Sequence, residues 1–451
     1  MVNKAEKGAR VPEGKGINRR DFLKMGAAGA AGVSLLGVAG CGGGGGGQGE
    51  GPVEFTLAMG PDRSGSRDKL MEKFNKQNEA KYKVNYREAP SDTGQYFDQL
   101  RTEFQAGQTN IDLIGGDVIW PAQFAANGWI IDLSDRFAES ERSKFLKGPI
   151  DANTFEGKIY GIPWYTDAGM LYYRKDWLDA AGLEPPKTWD ELKQQAKQIM
   201  QEQPKAKNGF VFQGANYEGG VVDGLEYIWT HGGSVLPEGD SSKVVIDSQN
   251  SVSGLQTERS MVEEGIAPKA VASYKEPESQ GVFLRGDAVF CRNWPYMYSL
   301  SADPKESQIK QDQVGIAPLP SAEGNESFSG LGGWNFFINA NSDSAVQDAA
   351  YAFAEFMTEP EQQKVSALEG SLLPTRKSLY EDQEIKDKVP VITLGREALE
   401  RSRPRPVSPV YSDMSLKMAD QFNASLKGNT SPQDAISTLQ GELTDIVEQA
   451  Q

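Results

Sequence analysis

Alternating apolar and polar positions open the organised part of the chain at Val53-Glu54-Phe55-Thr56-Leu57-Ala58, the period-two pattern of a strand. Leu70, Met71 and Phe74 then recur at helical spacing, and Tyr82-Lys83-Val84-Asn85-Tyr86 alternates again. Tyr96, Leu100 and Phe104 stand four apart ahead of Gly107, and Ile111-Asp112-Leu113-Ile114 reads as a third strand. This strand-helix rhythm predicts a parallel sheet with helices on both faces. Ligands of such sheets bind beyond the carboxyl ends of the strands, and Asp62 and Asp117 follow the first and third strands.

Further along, Met170-Leu171-Tyr172-Tyr173 predicts a strand, with Asp176 capping a helix to Ala181. Thr188 and Glu191 form a capping box before a long helix. Phe210-Val211-Phe212 leads into Gln213-Gly214-Ala215-Asn216-Tyr217-Glu218-Gly219-Gly220, a Gly-flanked loop whose aromatic, carboxylate and amide suit a polyol. His231, the only histidine, lies beside the Gly232-Gly233 helix stop and reads as a cap, and the chain shows no metal-ligand cluster. Phe283 and Leu284 close another helix, Gly286 stops it, and Ala288-Val289-Phe290-Cys291 is a buried strand delivering Trp294 and Tyr296. Pro295 is expected to hold those two rings on a stiff, extended segment.

The first 41 residues change the picture. Asn18-Arg19-Arg20-Asp21-Phe22-Leu23-Lys24 is a twin-arginine export pattern, followed by a mild apolar run too short to span a membrane. Val38-Ala39-Gly40-Cys41 resembles a lipoprotein lipobox, so residues 1–41 are expected to be a signal peptide whose removal leaves Cys41 lipidated, and 42–51 a Gly-rich tether. Cys291 alone then remains, so no intramolecular disulfide is possible. Seven Lys or Arg and three Asp or Glu leave with the signal, a net of +4 that takes the chain from −16 to −20. Such a polyanion excludes nucleic acid and leaves the lipid as the only membrane contact. No G-x-x-x-x-G-K-[ST] loop appears, so the chain does not hydrolyse ATP itself.

The string Phe283-Leu284-Arg285-Gly286-Asp287-Ala288-Val289-Phe290-Cys291-Arg292-Asn293-Trp294-Pro295-Tyr296 resembles the solute-binding proteins of carbohydrate ABC importers, especially the trehalose and maltose branch. Nearly the whole chain supports the likeness, including Tyr172 to Leu192, Leu373-Pro374-Thr375-Arg376 and Arg405 to Tyr411. The resemblance implies an α/β, two-lobed periplasmic-binding-protein fold of type II, each lobe a mostly parallel sheet flanked by helices. Three hinge crossings and an interlobe cleft go with it. Lobe 1 is expected from residues 52–156 and 310–343, and lobe 2 from 157–309 and 344–451. The first crossing would fall in Phe155 to Tyr165, the strands Val314 to Pro320 and Gly332 to Ile338 would return to lobe 1, and the helix near Ser344 would lie in lobe 2.

A neutral disaccharide needs rings against its C–H faces and carboxylates, amides or Arg at its hydroxyl rim; bonds to charged partners contribute about 1.5 to 3 kcal/mol each. On the family's pattern the ligand residues are Asp62, Asp117, Tyr165, Asp167, Trp294, Tyr296, Gly333, Trp334 and Arg376, joined by Tyr217 and Glu218 from the loop above. The resemblance implies a monomer without cofactor or enzymatic activity, lipid-anchored outside the cytoplasmic membrane, that delivers the sugar to a permease. Rival readings are a receptor for an oligosaccharide or polyamine, and a secreted glycoside hydrolase using a pair such as Asp167 and Glu218.

Overall fold

The computed structural model describes residues 51–450 except Arg63, Thr109, Glu238 and Gly239; the expected signal peptide, Cys41 and the tether up to residue 50 lie outside them. Strand β1 (Val53–Met59), helix α1 (Ser66–Gln77), β2 (Tyr82–Glu88), α2 (Thr93–Gln105) and β3 (Leu113–Asp117) form the predicted parallel unit, with β1 between β2 and β3. The third strand runs further than its apolar residues suggest, through Gly115 and Gly116. A Cβ there would meet Met59 at 2.6 Å and Phe337 at 2.5 Å, so only glycine lets the strand carry Asp117 to its end.

Strand β4 (Ile162–Ala168) stays in this sheet, and β5 (Met170–Arg174) belongs to another. The chain therefore leaves the first sheet at Gly169, later than the Phe155 to Tyr165 segment expected. Helix α3 (Lys175–Ala181) follows; Asp176 is not its cap, because its carboxylate takes the Arg174 guanidinium and Gln313 instead. The capping box at Thr188 and Glu191 forms as expected. Strand β6 (Asn208–Val211), helices α4 (Glu218–Thr230), α5 (Gln249–Glu263) and α6 (Glu276–Leu284), and strand β7 (Ala288–Asn293) build the second lobe. His231 caps α4 through its ring and the Tyr227 carbonyl, 2.7 Å apart.

Beyond β7 the expected extended segment is a turn into a short helix, Met297–Ala302. The Trp294 and Pro295 carbonyls accept from Met297 and Tyr298, since a proline ring fits a first helical turn at no hydrogen-bonding cost. Strand β8 (Val314–Ala317) pairs with β5, so it stays in the second sheet rather than returning. Only β9 (Ser329–Ile338) returns, antiparallel between β3 and β4. Both sheets are consequently mixed rather than mostly parallel: β10-β4-β9-β3-β1-β2 for the larger, where β10 is Leu373–Pro374, and β8-β5-β7-β6 for the smaller. β11 (Ser402–Arg403) adds to the start of β9.

Helix α7 (Ser344–Met357) also departs from expectation. Its Ala349, Ala350, Phe353 and Met357 pack into the first lobe with Phe55 and Phe74, the Phe353 ring 5.0 Å from Phe74. Burial of that apolar stripe against the nearest open sheet face decided its lobe. Two last helices, α8 (Tyr411–Leu426) and α9 (Pro432–Gln449), cover α4 in the second lobe. Among the described residues no helix is long and apolar enough to cross a membrane.

Candidate functional site

Three strands of the larger sheet place the floor. Register sets Tyr165 of β4, Trp334 of β9 and Asp117 of β3 side by side, with Asp167 opposite Gly332 one step along. Gly333 has φ +134°, where side chains are strained, and an added Cβ would lie 2.7 Å from the Tyr165 carbonyl. A β-bulge after Trp334 accompanies this close approach.

The second lobe supplies the facing wall. Trp294 lies over the guanidinium of buried Arg292, 4.0 Å from its ring centroid, and its Nε1 donates to Glu276 at 3.4 Å. Arg292 is held in turn by Glu226 at 2.6 Å, Asp223 at 3.0 Å and Gln213 at 3.1 Å. Tyr217 donates to the other Glu276 oxygen at 2.8 Å, and Tyr296 donates to Gln280 at 2.7 Å. Between floor and wall is a cavity of about 460 Å³.

Ten of the eleven expected ligand residues line that cavity: Asp62, Asp117, Tyr165, Asp167, Tyr217, Glu218, Trp294, Tyr296, Gly333 and Trp334. Arg376 does not. Its guanidinium pairs with Glu141, donates to the Thr358 carbonyl at 2.7 Å and stacks on Phe145, all within the first lobe. Asp62 stands at the edge with its carboxylate engaged: it accepts from the Ser64 amide and hydroxyl and from the amides of Arg67 and Asp68, which fastens the first turn of α1.

Arg405 takes the place that Arg376 was expected to fill. It lines the cavity, 4% exposed, and donates to Asp117 at 2.8 Å and to Glu218 at 2.7 Å, joining the end of β3 to the start of α4. The Arg405 to Tyr411 string was visible in the sequence, but no pattern distinguishes one buried arginine from another before the chain is folded. Glu218 also accepts from Tyr411 at 2.6 Å and from Ser415, so both its oxygens are held.

These charges are unequal. Burial raises the Asp117 carboxyl, the Glu218 charge adds to that, and Arg405 opposes it. Asp167 has no such cation beside it. Burial, and then the Asp117 charge, push its carboxyl well above the ordinary aspartate range, with Arg292 pulling weakly the other way. One Asp167 oxygen is buried without a hydrogen-bond partner. An acceptor in that state calls for an O–H or N–H donor from a ligand. Glu218, saturated by three donors, is poorly placed to serve as a hydrolytic acid or nucleophile. Among the described residues no group of three or more His, Cys, Asp or Glu is arranged to hold a metal ion.

Residues 60–364 match the model of the bacterial extracellular solute-binding protein family, and residues 16–35 match the signal sequence of the TAT (twin-arginine translocation) pathway. A probable ABC transporter-binding protein of Deinococcus radiodurans is 33% identical over 349 residues, 76% of this chain and 81% of that protein. Among solved structures, maltose-bound MalE3 of T. maritima is 37% identical with a TM-score of 0.82, covering 87% of this chain and 99% of that one. A solute-binding protein of Agrobacterium radiobacter K84 in complex with ribitol is 26% identical with a TM-score of 0.77, covering 88% and 100%.

Proposed function

The chain belongs to the bacterial extracellular solute-binding protein family, receptors of ABC transporters rather than enzymes, and from that premise we propose that it captures a neutral disaccharide of the trehalose or maltose kind. Its twin-arginine signal directs it out of the cytoplasm. Cys41, once acylated, tethers it to the outer face of the cytoplasmic membrane, where it hands the sugar to a permease.

The observation that carries the reading is the pairing of ring faces from both lobes with a single unsatisfied carboxylate. Trp294, Tyr296 and Tyr217 oppose Tyr165 and Trp334 across the cavity, the arrangement that apolar C–H faces of a sugar require. Asp167 offers its orphaned oxygen to a sugar hydroxyl. Arg405 offsets part of the charge of Asp117 and Glu218, and it is the rings from both lobes, more than the acids, that favour a sugar over a polyamine. The likeness to a maltose-bound structure at 37% identity supports the same class.

Binding works by lobe closure. A sugar touching both walls favours the closed form by its differential affinity for it, and the closed form is what the permease receives. The chain passes between the lobes at Gly169, between Ala317 and Ser329, and again between β11 and α8, and these passages are the proposed hinges.

Isothermal titration of the purified protein against trehalose, maltose, sucrose, glucose, maltotriose and spermidine tests this. Micromolar or tighter binding of one disaccharide, lost in Trp294→Ala, is the expected result. Tight spermidine binding with silence from every sugar would overturn it, as would hydrolysis of the bound disaccharide.

A further inference from the structure

Four side chains that line the sugar cavity each keep one buried polar atom without a hydrogen-bond partner among the described residues: Asp167 Oδ1, Arg405 Nε, Arg67 Nε and Trp164 Nε1. Three of these are N–H donors and one is an acceptor. Asp167 and Arg405 belong to the site already built. Arg67 and Trp164 were not among the expected ligand residues, and nothing packed around them explains a donor left bare.

Trp164 sits on β4, 4% exposed, its ring stacked on Phe336 with centroids 5.3 Å apart. Packing of that kind needs a ring and no N–H. A phenylalanine would fill the place without burying a donor that has nothing to bond, which costs stability. Arg67, on α1 and 3% exposed, is held by its other nitrogens and its plane. Nη1 donates to the Gly60 carbonyl at 2.6 Å, Nη2 comes within 3.4 Å of Asp68, and the guanidinium lies 4.1 Å from the Tyr86 ring centroid. Asp62 in the adjoining loop has no acceptor to spare, being filled by Ser64 and the amides of Arg67 and Asp68.

Tyr165 links the two. Its ring meets Trp164 edge-on with centroids 4.9 Å apart, and Arg67 is near enough to oppose the upward push that burial, and then the Asp167 charge, give its phenol. Both bare donors therefore stand in the first lobe beside the floor residues that bind ligand. Acids outnumber bases along the cavity lining, so the acceptor these donors await is a neutral oxygen rather than a carboxylate or phosphate. A hydroxyl oxygen, with two lone pairs, fits that need.

Resting on the sugar reading of the cleft, we propose that Trp164 and Arg67 donate to a hydroxyl oxygen of the captured sugar and so help to determine its specificity. Hydroxyls are then read in both senses, as acceptors here and as a donor at Asp167, which fixes the direction in which the sugar lies.

Trp164→Phe deletes one N–H and keeps the ring. Calorimetric titration with maltose and trehalose is expected to show binding weakened roughly fivefold, while the midpoint of urea unfolding is not lowered. Arg67→Lys keeps a cation against Tyr86, lacks Nε and weakens binding by a similar factor. Monodeoxy analogues of whichever sugar binds complete the cycle: removing one particular hydroxyl costs the unaltered protein roughly fivefold and costs Trp164→Phe nothing further. Full affinity in Trp164→Phe overturns the donor role and leaves the cleft reading standing, as does a deoxy series whose losses are the same in both proteins. A fall in urea midpoint together with affinity assigns Trp164 to packing and overturns the role as well. Silence from maltose and trehalose in the unaltered protein overturns the cleft reading on which the donor role rests.

Discussion

Arg292 and Arg405 are both buried and both bridge two carboxylates, yet they hold different things together. Arg292 pairs with Asp223 and Glu226 of one helix, and the Gly330 amide, where the chain enters β9, donates to Glu226 at 2.9 Å. Its network backs Trp294 and anchors a hinge passage, so its geometry is expected to survive opening. Arg405 reaches instead from Asp117 at the end of β3 to Glu218 at the start of α4. It ties an acid of the first lobe to an acid of the second, so opening of the cleft is expected to part them. A buried ion pair costs desolvation wherever it lies; what separates the two is whether water can return to the acids by a motion short of unfolding.

Substituting each arginine should therefore damage different quantities. Arg292→Met strands Asp223 and Glu226 inside the second lobe, and a loss of about 3 to 5 kcal/mol in urea unfolding is expected. Arg405→Gln should leave unfolding nearly unchanged, because opening the cleft resolvates Asp117 and Glu218. Closure then carries the cost, and sugar affinity should weaken by roughly 2 kcal/mol or more, seen by titration together with a more open form in small-angle scattering. If Arg405→Gln proved as destabilising as Arg292→Met, the contrast would collapse.

A pH dependence sharpens the Arg292 side. Glu258, on α5, is buried with one oxygen unpartnered and faces Asp223 and Tyr227, whose hydroxyl also lacks a partner. Burial raises its carboxyl to about 8. Between the ordinary glutamate range and that value the native chain holds a proton that the unfolded chain has lost, so stability falls as pH rises through this window. The slope is on the order of 1 kcal/mol per pH unit. Glu258→Gln should flatten it, and an unchanged profile would place the titration elsewhere.

Much of the framework was legible in the pattern. The βαβαβ opening, the capping box at Thr188 and the strand before Trp294 are local facts, each set by side-chain periodicity or a hydrogen bond spanning three residues. The segment after Trp294 was misread because proline suits an extended chain and a first helical turn equally well. The lobe of α7 was misread because an apolar stripe says that a helix is buried and leaves open against which sheet.

The candidate site divides along the same line. Position after a strand pointed to Asp117, since strand ends converge by topology, and the family resemblance added Asp167, Trp294 and Trp334, of which Asp167 and Trp334 lie within β4 and β9. They could not separate Arg376 from Arg405. Both follow short strands in arginine-bearing strings, and only the folded chain shows Glu141 and Phe145 beside one and the paired acids of the cleft beside the other.

By itself the sequence determined the export signal, the alternating elements and the chemical inventory of a polyol site, because these depend on neighbours within a few residues. Tertiary structure alone decided which acid is neutralised and which is left bare. Asp117, Glu218 and Arg405 come from three distant parts of the chain, and Asp167, buried beside the Asp117 charge, has a raised carboxyl and one oxygen without a partner. Electrostatic energy depends on separation in space and on exclusion of water, and neither is written in sequence order.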